Sequence, residues 1–246
     1  MSPLKAQSSW LTTASGMPVF YVPPKTRPQN PTDKKAIKAV IVLMEIFGVN
    51  SHIQNVCQRL AAEGFAAYAP HYYYRSAPVL ALGYEEKDII EGREHKAQVR
   101  STELLSDIAE TIQLIQAGEE GLQDIHCIGF CFGGQCAYLT ATLPEIKQTI
   151  CFYGGGIPSP QPDGSPPVLS FTKNIPGKIL CLFGENDPLI PPEDVRQIQT
   201  ALQAHHIPHE VVVYPGVGHG FFCEQRNDFN PQAAEDAWAR TLKALQ

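Results

Sequence analysis

The stretch HCIGFCFGGQC, residues 126–136, joins an apolar run to a run of small residues through a glycine-rich turn. Cys131 stands at the centre of that turn, with Gly129 two residues before it and Gly133 two residues after it. Glycines at this spacing permit a tight reversal from a strand into a helix, and such a turn lifts the central side chain clear of the sheet. The stretch therefore predicts a strand, a helix and a thiol presented between them.

Strands and helices of the same kind alternate along the rest of the chain. Continuous apolar runs of strand length are typical of strands buried on both faces, and they predict strands at residues 39–44, 65–70, 125–129, 149–153, 178–183 and 210–214. Apolar residues at helical spacing predict helices between Ser51, as the N-cap, and Gly64, and at residues 96–117, 133–142, 192–205 and 231–245. This alternation predicts an α/β fold with a mostly parallel central sheet and helices on both faces.

Four further segments lie outside this alternation. Residues 10–13 and 17–22 are expected to form a short hairpin, and the polar residues 23–35 an exposed loop. Residues 75–95 are mixed in character and interrupted by glycines, and they are expected to arch over a site. The ten residues PSPQPDGSPP at 158–167 are expected to be an excursion without core character.

The composition limits the class of protein. The chain has 246 residues, of which 43% are hydrophobic and 18% charged, which predicts one domain over residues 1–246. A net charge of −6 gives no reason to expect a nucleic-acid partner. No run approaches the ~18 apolar residues of a membrane span, and the first ten residues lack the apolar segment of a signal peptide. We therefore expect a cytoplasmic protein without a membrane partner.

Seven cysteines, an odd number, are spread along the chain without the spacing of a zinc site. Cys127, Cys151 and Cys181 lie in strand-like apolar runs, where a free thiol packs as a small hydrophobe. The histidines of HHIPH, residues 205–209, are expected in an exposed loop, and no carboxylate or cysteine there completes a ligand set. We expect reduced thiols, and neither a metal nor an organic cofactor.

Four candidate site residues follow predicted strands, namely Glu45, Cys131, Asp187 and His219. Chemistry in a parallel sheet collects at the carboxyl ends of the strands. The last three occur in the chain order of nucleophile, acid and histidine. The helix after Cys131 directs its N-terminus at the thiol, which favours thiolate, and Asp187 is suited to orient the His219 ring.

A second hypothesis is a redox-responsive or ligand-binding protein that uses Cys131 as an oxidisable thiol without turnover. A sensor would need neither His219 nor Asp187, so the complete set of three favours an enzyme.

Four sequence blocks carry a resemblance to a known family. They are EIFGVN at residues 45–50, GFCFGG at 129–134, GENDPLIP at 184–191 and GVGHGF at 216–221. With these blocks in order, from about residue 10 to the last helix, the chain resembles the dienelactone hydrolase family. The resemblance implies the α/β-hydrolase fold and a carboxymethylenebutenolidase-type hydrolase. Such an enzyme cleaves a small ester or lactone through a cysteine and an acyl-thioester.

The resemblance also implies roles for individual residues. Cys131, Asp187 and His219 form the catalytic triad, and Glu45 pairs with the thiol and helps to generate thiolate when substrate arrives. The oxyanion hole is expected from two backbone N–H groups, those of Ile46 and Phe132.

The family's substrate-binding arginines are matched only in part. Arg75 matches an arginine that holds the carboxylate of a dienelactone, whereas Cys223 stands in place of a second arginine, with Arg226 three residues further on. His71 stands where the family commonly has aspartate. One arginine rather than two predicts a substrate with a single carboxylate. The sequence does not specify the oligomeric state.

Overall fold

One eight-stranded sheet passes through the part of the chain that the structure describes, which is residues 7–25, 37–161 and 164–246 of a computed structural model. In chain order the strands are β1 (Ser9–Thr12), β2 (Pro18–Val22), β3 (Ile37–Leu43), β4 (Ala66–Pro70), β5 (Leu122–Phe130), β6 (Ile146–Phe152), β7 (Lys178–Gly184) and β8 (His209–Tyr214). The helices are α1 (Ser51–Ala62), α2 (Glu86–Lys96), α3 (Ser101–Gly118), α4 (Phe132–Thr140), α5 (Pro192–Ala204) and α6 (Pro231–Ala244), and Val168–Asn174 form a 3₁₀ helix.

The strand order is β1-β2-β4-β3-β5-β6-β7-β8. β2 pairs antiparallel with β1 and with β4, and every other neighbouring pair is parallel. From β3 the chain moves first to β4 on one side and then to β5 on the other. Because parallel crossovers are right-handed, this reversal places α1 and α3 on opposite faces of the sheet. The predicted α/β fold is confirmed.

The inner strands are buried because helices cover both faces of the sheet. All of β4 and nearly all of β3 are inaccessible to solvent, as their continuous apolar runs predict. Cys127, Cys151 and Cys181 are buried free thiols in β5, β6 and β7. The prediction that these three cysteines are core residues is confirmed.

Two helix boundaries differ from the sequence prediction. The N-cap of α1 is Asn50 rather than Ser51, because the Asn50 side chain accepts the Ile53 N–H at 3.3 Å. The helix predicted at residues 96–117 begins later, because residues 97–100 form a turn and α3 covers Ser101–Gly118, while α2 (Glu86–Lys96) is a separate helix that the sequence did not predict. The apolar spacing that favoured one helix belongs to α3, since α2 carries few buried residues.

The N-terminal hairpin is confirmed, with Trp10 opposite Phe20 in an antiparallel pair. Most of the loop predicted at residues 23–35 lies outside the described residues, as do residues 162–163 of the predicted excursion.

The turn between β5 and α4 depends on a close approach of two backbones. A Cβ atom on Gly129 would lie 1.9 Å from the carbonyl oxygen of Gly133, which is far inside van der Waals contact. Helix α4 can therefore begin directly against the end of β5 only if residue 129 has no side chain. The glycine is required by packing, in addition to any conformational freedom that it gives the turn.

We expect Gly129→Ala to lower the free energy of unfolding by at least 1–3 kcal/mol, roughly the cost of overpacking a core, and to lower the soluble yield. Gly118→Ala is the matched control. Gly118 lies at the end of α3, where a Cβ would meet its nearest neighbour, the Tyr68 hydroxyl, only at 4.0 Å. Urea unfolding of both variants checks this, and equal stabilities would contradict the role given to the contact.

Candidate active site

Cys131 lies at the tip of the turn, between the last residue of β5 and the first residue of α4. Its backbone has φ 55° and ψ −115°, a conformation that residues with side chains rarely adopt. The Cys131 N–H donates to the Phe152 carbonyl at 3.0 Å, which fixes the strained residue to the neighbouring strand. The thiol is half-buried, so it is presented at the carboxyl edge of the sheet as the sequence predicted.

His219 and Asp187 come together with Cys131 from separate loops. His219 Nε2 lies 3.1 Å from Cys131 Sγ, and His219 Nδ1 lies 2.6 Å from Asp187 Oδ2. The other Asp187 oxygen accepts the Leu189 N–H at 2.8 Å. His219 and Asp187 are each only 4% exposed, so the ring has little freedom to turn away from the sulfur. The arrangement has the nucleophile–base–carboxylate geometry of a catalytic triad.

The charge on His219 is controlled by these two neighbours. Burial lowers the pKa of His219, but the Cys131 charge and the hydrogen bond to Asp187 outweigh burial and raise the pKa to about 10. An imidazolium is therefore favoured next to the sulfur at neutral pH. A positive ring at 3.1 Å stabilises a thiolate on Cys131.

Cys131 and His219 open into a cavity of about 340 Å³. Its lining combines apolar side chains with three cations, and it includes Ile46, Phe47, Ile89, Arg93, Lys96, Phe132, Leu189 and Arg226. Phe132 is the first residue of α4, and N–H groups in the first turn of a helix have no partner within that helix. The two residues expected to supply the oxyanion hole, Ile46 and Phe132, thus both border the cavity.

Sequence reasoning missed two of the cations, Arg93 and Lys96, which α2 brings to the cavity. The helix packs close to the site because Gly92 faces the Ile46 carbonyl, which would lie 2.5 Å from a Cβ at residue 92. Ile89, Arg93 and Lys96 follow one another at helical spacing and therefore share one face of α2. This helical spacing could have indicated that α2 turns two cations towards the cavity, since most of α2 lies in the segment that was already expected to arch over a site.

Glu45 lies completely buried behind the cavity, and it contacts groups other than the Cys131 thiol. Arg226 Nη1 donates to Glu45 Oε1 at 3.1 Å, and the Tyr84 hydroxyl donates to Glu45 Oε2 at 3.2 Å. The pairing of Glu45 with the thiol, which the resemblance implied, is absent from this conformation. The carboxylate instead holds the guanidinium of Arg226 at the wall of the cavity.

The structure gives Arg75 a partner within the fold and does not place it at the cavity. The Arg75 guanidinium makes two hydrogen bonds to Asp107 of α3, at 2.7 and 2.9 Å, and stacks on the Tyr74 ring. Arg75 is absent from the described residues that line the cavity, so this conformation does not support the expectation that it binds a substrate carboxylate. The cations among the described lining residues are Arg93, Lys96 and Arg226, and of these Arg226 is paired with Glu45.

Other residues named in the sequence analysis have defined positions. His71 is buried, and its Nε2 accepts the Leu80 N–H at 2.8 Å, so it shapes the segment before α2. Cys223, which stands in place of a family arginine, is fully buried, and its Sγ contacts the Tyr84 hydroxyl at 3.2 Å. His205 and His206 are exposed in the turn after α5, as predicted, whereas His209 is half-buried at the start of β8.

Comparison with known proteins places this site in a family. The sequence profile of the dienelactone hydrolase family matches residues 26–246. A Synechocystis protein provisionally named carboxymethylenebutenolidase is 44% identical over 208 residues, which are 84% of this chain and 85% of that protein. A protein of Escherichia coli K12 with the same provisional name is 32% identical over 92% of this chain and 81% of its own length.

Solved structures agree with these sequence matches. A crystal structure from Klebsiella pneumoniae, assigned provisionally as a dienelactone hydrolase, has a TM-score of 0.84 and 26% identity, and the match covers 97% of this chain and 98% of that one. The fold and site are those of an α/β-hydrolase of the carboxylic ester hydrolase class. The chain belongs to the dienelactone hydrolase family. Of the helices in the described ranges, none is long and apolar enough to cross a membrane.

We expect the alkylation of Cys131 by iodoacetamide to depend on His219. The raised pKa of His219 means that the ring stays charged as pH rises from neutrality and loses its proton only near pH 10, so it can pair with a thiolate over that range. In His219→Gln the thiolate loses this partner, so the rate of alkylation at pH 6–7 should fall by about tenfold or more. The rate should recover as the pH is raised towards ~8.5, the ordinary pKa of a thiol.

The measurement is the rate of labelling of Cys131 against pH, by peptide mass spectrometry. His206→Gln, in the exposed turn, is the control and should follow the wild type. Identical pH profiles for His219→Gln and the wild type would contradict the pairing.

Proposed function

We propose that this chain hydrolyses a small ester or lactone with Cys131 as the nucleophile, through an acyl-thioester. The observation that carries the proposal is the hydrogen-bonded line from Asp187 through His219 to the Cys131 sulfur, at the wall of a cavity of about 340 Å³. The raised pKa of His219 favours an imidazolium, and an imidazolium at this distance stabilises the thiolate that attacks the substrate.

In the first step, the Cys131 thiolate attacks the carbonyl carbon and forms an S–C bond. The carbonyl oxygen takes the negative charge, and we assign its stabilisation to the N–H groups of Ile46 and Phe132, two residues that border the cavity. The C–O bond to the leaving alcohol then breaks, and the alkoxide takes the proton from His219. In a lactone, the alcohol stays attached to the acyl group that Cys131 now carries.

In the second step, His219 is neutral and takes a proton from a water molecule that attacks the thioester. The C–S bond breaks, and the Cys131 thiolate leaves beside the newly protonated ring. Asp187 stays ionised throughout and holds the orientation of the ring. A thiolate leaves its own adduct readily, so activated esters and strained lactones are better substrates than amides.

The cations of the cavity favour a substrate that carries a carboxylate. Arg93, Lys96 and Arg226 border the cavity with Cys131, and a charge-assisted hydrogen bond to such a group contributes roughly 1.5–3 kcal/mol. The name carboxymethylenebutenolidase, given to the sequence relatives, itself denotes a lactone with a carboxylate group. A small ester or lactone with a carboxylate therefore fits both the shape and the charge of the site.

Glu45 takes part through Arg226. In the free protein the two are ion-paired, and a substrate carboxylate competes with Glu45 for the same guanidinium. We propose that substrate binding in this way releases Glu45, which is then available to the thiol as the family resemblance implies. Substrate charge and nucleophile activation would thus be linked.

Trapping the covalent intermediate tests the nucleophile. Incubation with activated esters and lactones should give an intact mass increased by one acyl group, with the label on Cys131. His219→Gln should accumulate the adduct, because deacylation needs the base, whereas Cys131→Ala should show neither adduct nor turnover. Cys136→Ala removes a buried thiol of α4, the helix that follows Cys131, and this control should still form the adduct. Full turnover in Cys131→Ala would refute the mechanism.

Substrate charge is tested with two esters that differ only in a carboxylate. We expect the advantage of the charged ester in kcat/KM to shrink by about tenfold in Arg226→Gln or Arg93→Gln, equivalent to ~1.4 kcal/mol. Arg75→Gln is the control and should keep that advantage, because Arg75 is paired with Asp107. If only Arg75→Gln loses the advantage of the charged ester, Arg75 binds the substrate carboxylate as the sequence first suggested. If the wild type shows no such advantage, the natural substrate is neutral.

A further inference from the structure

Three buried side chains of different ligand type meet behind the catalytic cavity. They are Glu45, which follows β3, His52 in the first turn of α1, and Cys223 in the loop before α6. One possible ligand atom from each lies within 4.8 Å of those from the other two. The three residues come from separate parts of the chain, so sequence spacing gave no sign of the cluster.

His52 has an unsatisfied nitrogen at this position. The residue is 7% exposed, and its Nε2 is buried without a hydrogen-bond partner among the described residues. Most buried polar atoms in folded proteins are hydrogen-bonded, so an exception calls for a ligand or a specific role.

The chemistry of the cluster selects a class of ion. Thiolate and imidazole ligands favour zinc and similar transition metals, whereas magnesium and calcium prefer sites made of oxygen ligands alone. We propose that Glu45, His52 and Cys223 form a binding site for a zinc-class divalent metal ion, separate from the Cys131 centre. The Cys223 thiol gives its proton to solvent when the metal–sulfur bond forms.

Two neighbouring groups contact the ligands of such an ion. The Tyr84 hydroxyl lies 3.2 Å from both Cys223 Sγ and Glu45 Oε2, so it can hydrogen-bond ligands and hold their orientation. A divalent ion with one thiolate and one carboxylate is formally neutral, so binding also cancels the negative charge that Glu45 offers to Arg226.

One ligand of the site borders a cavity other than that of Cys131. His52 lines a second cavity, of about 430 Å³, together with Phe222 and Glu224, which flank Cys223 in the chain. An ion can therefore approach His52 from a cavity that Cys131 does not line.

Occupancy should affect catalysis through Glu45, and this part of the inference rests on the proposed function. Glu45 is the ion-pair partner of Arg226, which borders the catalytic cavity. A metal ion that draws the carboxylate towards itself weakens that pair and prevents the release of Glu45 to the thiol. We therefore expect a bound ion to lower turnover, and a chelator to restore it.

The first experiment measures binding, with no substrate present. Reduced protein is titrated with Zn²⁺ against a chromophoric chelator and with Co²⁺, whose thiolate complexes absorb in the near ultraviolet. The wild type should bind a single equivalent. Cys223→Ser and His52→Gln should lose affinity by about tenfold to a hundredfold or more, as ligand-site substitutions do. Cys131→Ser and His126→Gln, a buried histidine of β5, are matched controls and should bind as the wild type.

The catalytic pair is the competing site, since Cys131 and His219 are themselves metal ligands by type. Loss of binding in Cys131→Ser with binding retained in Cys223→Ser would overturn the proposal, as would a wild type that binds no ion. If the cluster variants fail to fold, wild-type crystals grown with Zn²⁺ decide the question. An anomalous peak ~2.0–2.3 Å from the three ligand atoms supports the site, and a peak at Cys131 or none overturns it.

A second experiment tests the link to hydrolysis on its own. Turnover of the wild type should fall as the site fills and recover with a chelator, whereas any hydrolysis by Cys223→Ser should resist the same Zn²⁺ concentration. If no ester is hydrolysed at all, the proposed function fails while the binding result stands. Hydrolysis that is unaffected at full occupancy refutes the coupling through Glu45.

Discussion

The close contact between the end of β5 and the first turn of α4 is the constraint on which the site depends. Because no side chain separates Gly129 from the Gly133 carbonyl, the helix begins immediately after the strand and Cys131 takes a strained backbone conformation at the junction. The strain is supported by the Cys131 N–H bond to Phe152 in the adjacent strand. The thiol is thereby held at the carboxyl edge of the sheet, at the N-terminus of a helix, where a thiolate is favoured.

Charge is distributed around that thiol in two buried pairs. His219 and Asp187 form one pair on the nucleophile side, and Glu45 and Arg226 form the other at the wall of the cavity. Burial makes each pair costly to break, since an isolated charge left in the interior would lose both solvent and partner. A substrate carboxylate can compensate Arg226 in place of Glu45, which a neutral substrate cannot do. In the proposed mechanism, selectivity for charge and activation of the nucleophile therefore involve the same few groups.

Much of the fold was predictable because parallel strands leave a local signature. Continuous apolar runs such as Val40–Leu43 occur only where both faces of a strand are covered, and the glycine pattern around Cys131 fixes a strand-to-helix turn. Helix α2 was not predicted, because it carries few apolar residues and packs through the close approach of Gly92 to the Ile46 carbonyl. Apolar residues at helical spacing reveal a helix that buries apolar side chains. They do not reveal a helix such as α2, which packs through the close approach of its backbone.

The sequence by itself determined the α/β class, the turn, and the identity and order of Cys131, Asp187 and His219, because these depend on local patterns and on the rule that strand ends meet at one edge. Only the tertiary structure decided which charges surround them. Arg75 looked suitable by position, yet Asp107 from a distant helix compensates it, while Arg93 and Lys96 face the cavity. The cluster of Glu45, His52 and Cys223 likewise exists only after folding, since contacts between distant segments are set by packing rather than by spacing.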